Sequence, residues 1–389
     1  MEPEPCAPLA NLRRVERRTA VYILGLIQKS VDYTIHIYGA HATAYPHIKS
    51  RLLSQARSTS LVLVPLCDAT ESPQRVIGIE PSRCRLATPE QPTCALTSIA
   101  RELRDGGRRV AILSRGYKSR KPPLLRRWFG RRIEGPRIVS TGEGPLLDSA
   151  TAGDEPYMLA RNLPGVAVFV DKNRVKAGNH AVRAWGADVI LLDDGMQYQR
   201  LQHRIDFVLV DRTAPFGNEH LLPRGTLREP PRNLRRARYI LLTKSRPGAG
   251  NRDLIERIRR YNRTAEIIEC RHRPVHLENL RTGEHLPLSH LDGKYFGVIS
   301  AIATPESFEN SLRDLGALLE VTARYADHHR FTPREIQSFA QRCVRRDVDA
   351  ILTTEKDAVR IPRVDTGDMP ILFLRVEIEI LEGHDHWER

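Results

Sequence analysis

The chain has few cysteines, and none of them stands in a metal or disulfide motif. Its 389 residues include six cysteines, and no two of them form a C-x-x-C pair. They are Cys6, Cys67, Cys84, Cys94, Cys270 and Cys343. Such scattered cysteines argue against a cysteine-based zinc site and against a disulfide framework, and they are typical of a protein from a reducing cytosol.

The sequence also lacks an uncharged run long enough to span a bilayer, and it has no signal peptide with a cleavage site. One segment within residues 1–40 suits a membrane surface. Four arginines between positions 13 and 18 precede the apolar run Thr19–Ile27. Basic residues beside a short apolar helix are typical of a helix lying in the membrane interface, and the alternative is an N-terminal helix packed on the core.

Positive charge, by contrast, is abundant. The chain carries 61 Lys and Arg against 47 Asp and Glu, for a formal net charge of +14. Residues 101–137 hold thirteen of the basic residues and only three acids. This stretch favours phosphates, an anionic membrane surface or nucleic acid as partners, unless it is simply a solvated basic face. Because no aromatic–basic stacking motif accompanies it, nucleic-acid binding is not expected.

From about residue 95 the sequence alternates short apolar runs with helical patterns, which predicts a parallel sheet covered by helices. The predicted strands are 110–113, 166–170, 188–192, 207–210 and 239–242. Residues 40–95 are irregular, because proline, serine, arginine and threonine interrupt nearly every periodic pattern. The hydrophobic content of 41% is sufficient for real cores.

A second α/β pattern begins near residue 273. It contains predicted strands at 295–299 and 350–352, and a capping box formed by Thr332 and Glu335 that should start a helix. The intervening residues 271–293 are polar and contain Pro and Gly. We therefore predict an N-terminal α/β domain over residues 1–272 and a smaller C-terminal α/β domain over residues 273–389.

Two adjacent aspartates follow one of the most apolar predicted strands. Val189–Leu192 leads directly into Asp193, Asp194 and Gly195. Carboxylates at the carboxyl end of a parallel strand lie where open α/β sheets bind ligands, and there they could hold Mg²⁺ against a nucleotide phosphate. The alternative is a simple turn, because Asp-Gly is a favoured turn pair.

Two other motifs offer groups for proton transfer. Asp154 precedes a helical run, where it could act as a general base, orient one, or only cap the helix. The run Asp327-His328-His329 could supply a histidine base for phosphoryl transfer or, with its aspartate, a transition-metal site. A pair of histidines in an ordinary loop is the remaining alternative.

Charged residues also stand in a proline-rich loop and after a predicted strand. Arg228 could bind a phosphate through two guanidinium N–H groups at once, and Glu229 could be a ligand of a metal ion. The run Thr353–Asp357 follows the strand predicted at 350–352 and suits a ligand site. For both segments the alternative is a set of solvent-facing charges.

The order and spacing of these motifs together resemble the tetraacyldisaccharide 4'-kinase family, the lipid A 4'-kinases of Gram-negative envelope synthesis. The segments that carry the resemblance are Ser114–Tyr117, Gly153–Pro156, Leu192–Gly195, Leu222–Pro230, Asp327–His329 and Thr353–Asp357. The resemblance implies a P-loop-kinase-like parallel sheet with flanking helices, followed by a smaller C-terminal α/β domain. It covers about residues 95–360.

The resemblance also implies an activity and its partners. Members of this family transfer the γ-phosphate of ATP, with Mg²⁺, to the 4'-hydroxyl of a tetraacylated glucosamine disaccharide 1-phosphate. They act as peripheral proteins at the cytoplasmic face of the bacterial inner membrane, whose anionic surface would suit the basic segments of this chain. The implied site residues are Asp154 and His328 (or His329) for catalysis, Arg228 for phosphate, and Asp193, Asp194 and Glu229 for Mg²⁺.

One feature of the family is missing from the sequence. No G-x-x-x-x-G-K-[ST] phosphate loop occurs anywhere in the chain. By position, Thr93 matches the hydroxyl that would bind Mg²⁺ and ATP, whereas Pro92 stands where the family has a lysine. Because proline has no N–H and no charge, it cannot replace that lysine. The alternative function is therefore an inactive family member, a pseudokinase that still binds lipid or nucleotide.

Overall fold

The computed structural model describes residues 75–81, 90–116, 135–198, 200–201, 205–222, 224–248 and 250–387. The predicted interfacial helix within residues 1–40 lies outside these ranges, as do most of the irregular region 40–95 and the middle of the basic stretch 101–137.

The described residues build one mixed sheet of thirteen strands. The strands are β1 (Arg75–Pro81), β2 (Val110–Ser114), β3 (Arg137–Ser140), β4 (Ala167–Val170), β5 (Val189–Asp193), β6 (Ile205–Asp211), β7 (Tyr239–Thr243), β8 (Glu266–Asn279), β9 (His285–Leu286), β10 (Tyr295–Ser300), β11 (Leu318–Arg324), β12 (Ala350–Thr354) and β13 (Ile371–Glu382). Their spatial order is β11-β10-β12-β13-β8-β7-β6-β1-β5-β2-β4-β3, and β9 pairs with β8.

Nine α-helices accompany this sheet in the described part of the chain. They are α1 (Glu90–Asp105), α2 (Ser149–Ala152), α3 (Asp154–Asn162), α4 (Arg174–Arg183), α5 (Arg252–Arg259), α6 (Pro305–Asp314), α7 (Pro333–Arg345), α8 (Glu355–Ala358) and α9 (His384–Trp387). Two 3₁₀ helices, Pro231–Arg236 and Leu288–Leu291, complete the set. None of these helices combines the length and the apolar character needed to cross a bilayer.

The central strands form where the sequence is continuously apolar. β2 is buried along its whole length, and β5 is buried up to Asp193. Helix α1 places Leu96, Ile99 and Ala100 in the same core. Strands covered on both faces need apolar side chains on both faces, so an unbroken apolar run is the expected pattern. The predicted α/β class with a parallel sheet is confirmed.

Two antiparallel strands join the parallel sets of the sheet. β8 continues past its parallel pairing with β7 and pairs antiparallel with β13 from Glu269 to Asn279. Because β13 is parallel to β12, the two parallel sets run in opposite directions. Their carboxyl ends therefore face each other across the middle of the sheet.

The predicted domain boundary at residues 272/273 falls inside β8. One apolar core spans residues 95–270, and two others lie within residues 277–374. The sequence did not predict β8 as a strand, because charged and polar residues interrupt its apolar pattern after Ile268. In the structure these charges pair across strands, as in the hydrogen bond from Arg271 to Glu379.

Candidate active site

The candidate site lies where the carboxyl ends of the two parallel sets face each other. Asp193 and Asp194 end β5 on one side. On the other side, His328 follows β11, and α8 follows β12. Helix α3 begins between them with Asp154, whose neighbour Glu155 is close enough to Asp193 to affect its titration. Ligand sites at the carboxyl ends of parallel strands are the expected arrangement in open α/β sheets.

Both carboxylates of the aspartate pair are half-buried. Ser114, at the end of the neighbouring strand β2, donates a 2.9 Å hydrogen bond from Oγ to Asp193 Oδ2. Burial, together with the negative charges of Glu155 and Asp194, raises the pKa of Asp193 to about 7. Asp194 has a left-handed backbone with φ of 58°, which directs its side chain towards a different neighbour.

This cluster of acids has the character of a site for a divalent cation. Asp194 Oδ1 is buried and has no hydrogen-bond partner among the described residues. The carboxylates of Asp193, Asp194 and Glu155 repel one another, and this repulsion contributes to the raised pKa of Asp193. A dication would relieve that repulsion, and carboxylate oxygens are the ligands that Mg²⁺ takes in proteins. The residues present therefore fit the metal that the sequence predicted for Asp193 and Asp194.

The proline-rich loop joins the aspartate pair through Arg228. Its Nη1 donates to Asp194 Oδ2 at 2.9 Å and to Gln197 Oε1 at 3.2 Å. Glu229 accepts hydrogen bonds from Asn233 and Arg236 on Oε2, so its carboxylate is held by its own loop. The structure thus brings Arg228 to the acids, while the predicted metal role of Glu229 stays a prediction.

Asp154 and His328 meet in the space between the two opposed sets of strand ends, which is called the cleft below. Asp154 is the first residue of α3, follows Gly153 with φ of 98°, and is 8% exposed. His328 Nδ1 lies 3.5 Å from Asp154 Oδ2. His328 itself has φ of 67°, and its backbone N–H bonds to the carbonyl of Ala301. The two residues are 174 positions apart in sequence, so only the tertiary fold brings them together.

Two arginines that the sequence analysis did not select hold this pair. Arg330 donates to Asp154 Oδ1 at 2.7 Å, and Arg360 donates from Nε to Asp154 Oδ2 at 2.8 Å. Burial alone would raise the pKa of Asp154, but the hydrogen bond with His328 and the charges of Arg360 and Arg330 lower it to about 2. Asp154 is therefore ionised at neutral pH.

Arg360 also orients the histidine. Its side chain is fully buried, and its Nη2 lies 2.9 Å from His328 Nδ1. Since a guanidinium can only donate and an ionised carboxylate can only accept, Nδ1 of His328 lies between a donor, Arg360, and an acceptor, Asp154, and the tautomer of the ring decides which of these contacts is a hydrogen bond. The same guanidinium donates from Nη1 to Asp357 Oδ1 at 3.0 Å, and Asp357 in turn accepts from the Ala301 backbone. Thus Asp357, the last residue of the predicted run Thr353–Asp357, helps to hold Arg360 beside Asp154 and His328.

His329 belongs to a different cluster. Its Nε2 lies 3.1 Å from both carboxylate oxygens of Glu335, and its ring stacks on Tyr325 with centroids 4.8 Å apart. Of the two predicted histidines, His328 is therefore the one beside Asp154.

Thr93 lies in the first turn of α1, which begins at Glu90. Its side chain is buried, and it lines a pocket together with Arg101, Met158 and Arg375. β1 pairs with β6 and leads through residues 82–89, which lie outside the described residues, into α1. A strand followed by a connection and a helix is the arrangement that carries a phosphate loop, although the connecting sequence has no glycine. The predicted role of Thr93 stays a prediction.

Sequence reasoning missed Arg174, Arg330 and Arg360, although Arg330 and Arg360 each had a signal in the sequence. Arg330 directly follows the two histidines, and Arg360 lies three residues after Asp357, the spacing of neighbours on a helix face. Arg174 starts α4 after β4, is 4% exposed, and donates to the backbone carbonyl of Asp193. A buried arginine needs an acid or carbonyl partner, and that partner is visible only in three dimensions.

The fold and the site define a class of protein. A parallel α/β sheet with paired acids at a strand end, an arginine on those acids and an aspartate–histidine pair facing them has the features of a phosphotransferase of the P-loop kinase type. Comparison with known sequences defines the family. Residues 92–389 match the family model described as tetraacyldisaccharide-1-P 4'-kinase, and the chain belongs to this family of lipid A biosynthesis kinases.

Individual members of the same family have similar sequences. The chain is 39% identical over 299 residues to a tetraacyldisaccharide 4'-kinase of Anaeromyxobacter dehalogenans strain 2CP-C, with 75% of each chain covered. It is 35% identical over 294 residues to one of Syntrophus aciditrophicus strain SB, covering 72% of this chain and 75% of the relative.

A solved structure shares the fold. The crystal structure of LpxK from Aquifex aeolicus in complex with ATP superposes with a TM-score of 0.60 at 25% identity, over 82% of this chain and 87% of that one.

Proposed function

We propose that this chain transfers the γ-phosphate of ATP to the 4'-hydroxyl of a tetraacylated glucosamine disaccharide 1-phosphate. The observation that carries the proposal is the buried Asp154, 3.5 Å from His328, at the cleft that also holds Asp193 and Asp194. Such a cleft can hold an acceptor hydroxyl on one side and nucleotide phosphates on the other. Family membership supplies the substrate class.

In this proposal Asp154, paired with His328, accepts a hydrogen bond from the acceptor hydroxyl and takes up its proton as the phosphate is transferred. A carboxylate with a pKa of about 2 is a weak base, so its main task is to align the hydroxyl as a hydrogen-bond acceptor. Weak basicity is compatible with phosphoryl transfer, because the loose transition state requires little proton removal before the phosphorus–oxygen bond to the leaving group breaks. The residues named here act mainly by positioning the reactants.

The residues on the other side of the cleft are proposed to interact with the charged phosphates of ATP. We assign Mg²⁺ binding to Asp193 and Asp194, with Glu229 as a further predicted ligand. When bound, the ion neutralises charge on the β- and γ-phosphates. Arg228, which contacts Asp194 at 2.9 Å, is placed to stabilise charge on the transferred group, and Thr93 is proposed as a nucleotide contact.

We further propose that the protein works as a peripheral protein on the anionic cytoplasmic surface of a bacterial inner membrane, and that residues 1–272 and 273–389 act as its two domains. The formal net charge of +14 supports attraction to that surface. Cosedimentation with vesicles of anionic phospholipid, but not with neutral vesicles, tests the membrane part of the proposal.

Transfer of label from [γ-³²P]ATP to the disaccharide lipid by the purified full-length chain tests the activity. We expect transfer in the presence of Mg²⁺, a fall of about 10²–10⁴-fold with Asp154→Asn, and wild-type rates with Asp188→Asn, an exposed aspartate that serves as the control. Binding of ATP and lipid without any transfer would identify the alternative, an inactive family member that has lost function with its glycine–lysine loop.

A further inference from the structure

A cluster of two histidines and a glutamate lies on the β8–β9 hairpin, outside the candidate active site. In the antiparallel register Leu277 pairs with Leu286, and Glu278 pairs with His285. Because side chains alternate between the faces of a strand, His276, Glu278 and His285 share one face. The two leucines occupy the opposite face and pack in an apolar core.

The three side chains are close enough to share one ion. One ligand atom from each of His276, Glu278 and His285 lies within 4.8 Å of the other two. Two ligand atoms of a tetrahedral zinc ion, each about 2.1 Å from the metal, are about 3.4 Å apart. Closing the cluster around an ion therefore shortens the distances between ligand atoms by up to about 1.4 Å, which both side chains of a pair can share. The imidazole rings already lie side by side, with centroids 4.2 Å apart.

His276 offers an available ligand atom. Its Nε2 is buried and has no hydrogen-bond partner among the described residues. Metal ions bind the neutral form of imidazole through such a nitrogen. A buried nitrogen without a partner is costly, and a metal ion would satisfy it.

Glu278 is also oriented so that one of its carboxylate oxygens could bind an ion. Arg161 of helix α3 donates to its Oε1, while its Oε2 lies on the His285 side, 4.0 Å from His285 Nε2. The arginine thus fixes one oxygen and leaves the other towards the imidazoles. Outer hydrogen bonds that orient a ligating carboxylate are typical of protein metal sites.

We propose that His276, Glu278 and His285 form a binding site for a borderline first-row divalent cation such as Zn²⁺. Two imidazoles and one carboxylate are a donor set typical of zinc, whereas Mg²⁺ prefers oxygen ligands alone. The His285 side chain is 62% exposed, so water can occupy the fourth position of a tetrahedral ion. The bound ion would connect β8 to β9. This site is independent of the proposed kinase activity.

Calorimetric titration of the tag-free, full-length protein with Zn²⁺ tests the site. Mg²⁺ is kept in excess, so that carboxylate sites such as Asp193–Asp194 are already filled. We expect one saturable Zn²⁺ site whose affinity falls at least about tenfold in His285→Ala. His290→Ala removes a histidine from the following 3₁₀ helix, outside the cluster, and should bind like wild type.

A spectroscopic readout identifies the ligands. Co²⁺ in place of Zn²⁺ should give visible absorption of a tetrahedral ion in wild type and His290→Ala, and this absorption should be lost in His285→Ala. Because His285 is exposed on a two-residue edge strand, its replacement should leave the fold intact, which circular dichroism checks. The absence of a saturable Zn²⁺ site in wild type, or an equal affinity in His285→Ala, would overturn the proposal.

Discussion

Replacing Arg360 with methionine should disable the candidate active site by removing its buried support. The guanidinium of Arg360 contacts Asp154 at 2.8 Å, His328 Nδ1 at 2.9 Å and Asp357 at 3.0 Å. Methionine keeps a similar length in the same space but supplies neither charge nor donors. Both aspartates would then remain buried without their shared cation, and His328 would lose its contact with the guanidinium.

The contacts of Arg360 determine how large the loss of unfolding free energy should be. Removing one partner of a buried ion pair costs about 3–5 kcal/mol of unfolding free energy. Arg330 remains 2.7 Å from Asp154, so we expect a loss at the lower end, about 3 kcal/mol. This loss is about a hundredfold in the folding equilibrium. Misalignment of the Asp154–His328 pair should also lower kcat by about 10²-fold.

Denaturant unfolding of the full-length protein measures the first effect, and lipid phosphorylation measures the second. Arg363→Met is the matched control, because Arg363 lies three residues further along and is exposed. A double-mutant cycle with Asp154→Asn should give a coupling energy of at least about 1 kcal/mol. Arg360 would not be the buried support of this site if Arg360→Met unfolded within about 1 kcal/mol of wild type, or if the two substitutions were simply additive.

Three further predictions concern the two histidines, the cap of helix α7 and the pKa of Asp154. His328→Ala should lower kcat by about 10²–10⁴-fold, whereas His329→Ala, which loses only its contact with Glu335, should stay within a few-fold of wild type in the phosphorylation assay. Thr332→Ala should cost about 0.5–2 kcal/mol in denaturant unfolding because Thr332 forms a complete capping box, while Thr304→Ala should be near neutral because Thr304 makes no side-chain cap bond; equal costs would contradict this. The pKa of Asp154, about 2 in the fold against an ordinary 3.8, contributes roughly 2 kcal/mol of stability. That contribution is fully present above about pH 4 and is lost as the pH falls through about 2. Unfolding at pH 3 and pH 6 should therefore show a smaller acid loss in Asp154→Asn than in wild type, and an equal loss would contradict the assignment.

Local sequence was sufficient for the strands whose burial is uniform. The predicted strand 110–113 is β2, and the strand predicted at 188–192 is β5 with a shift of one residue. Strands covered on both faces require continuous apolar runs, and such runs are visible without any neighbour. The capping box at Thr332 was predicted for the same reason, since its two hydrogen bonds join residues three apart.

Strands stabilised by distant charges were not visible in the sequence. β8 and β13 carry many charged residues, and their long antiparallel pairing depends on partners about one hundred positions away. Half-buried strands with charged cross-strand pairs lack the apolar run that identifies a buried strand. Residues 75–81 were likewise assigned to an irregular region, although they form β1 beside β6.

The chemical types at the site and their order along the chain can be read from local sequence. Paired acids after an apolar strand, an aspartate at a helix start and a histidine after a strand are local features, and their spacing was enough to indicate the family. Which of these groups come into contact depends on the tertiary fold. It placed His328 rather than His329 beside Asp154, and it directed Arg228 to Asp194. It also buried Arg360 between two aspartates, because the opposed parallel sets of the sheet bring distant strand ends to one cleft.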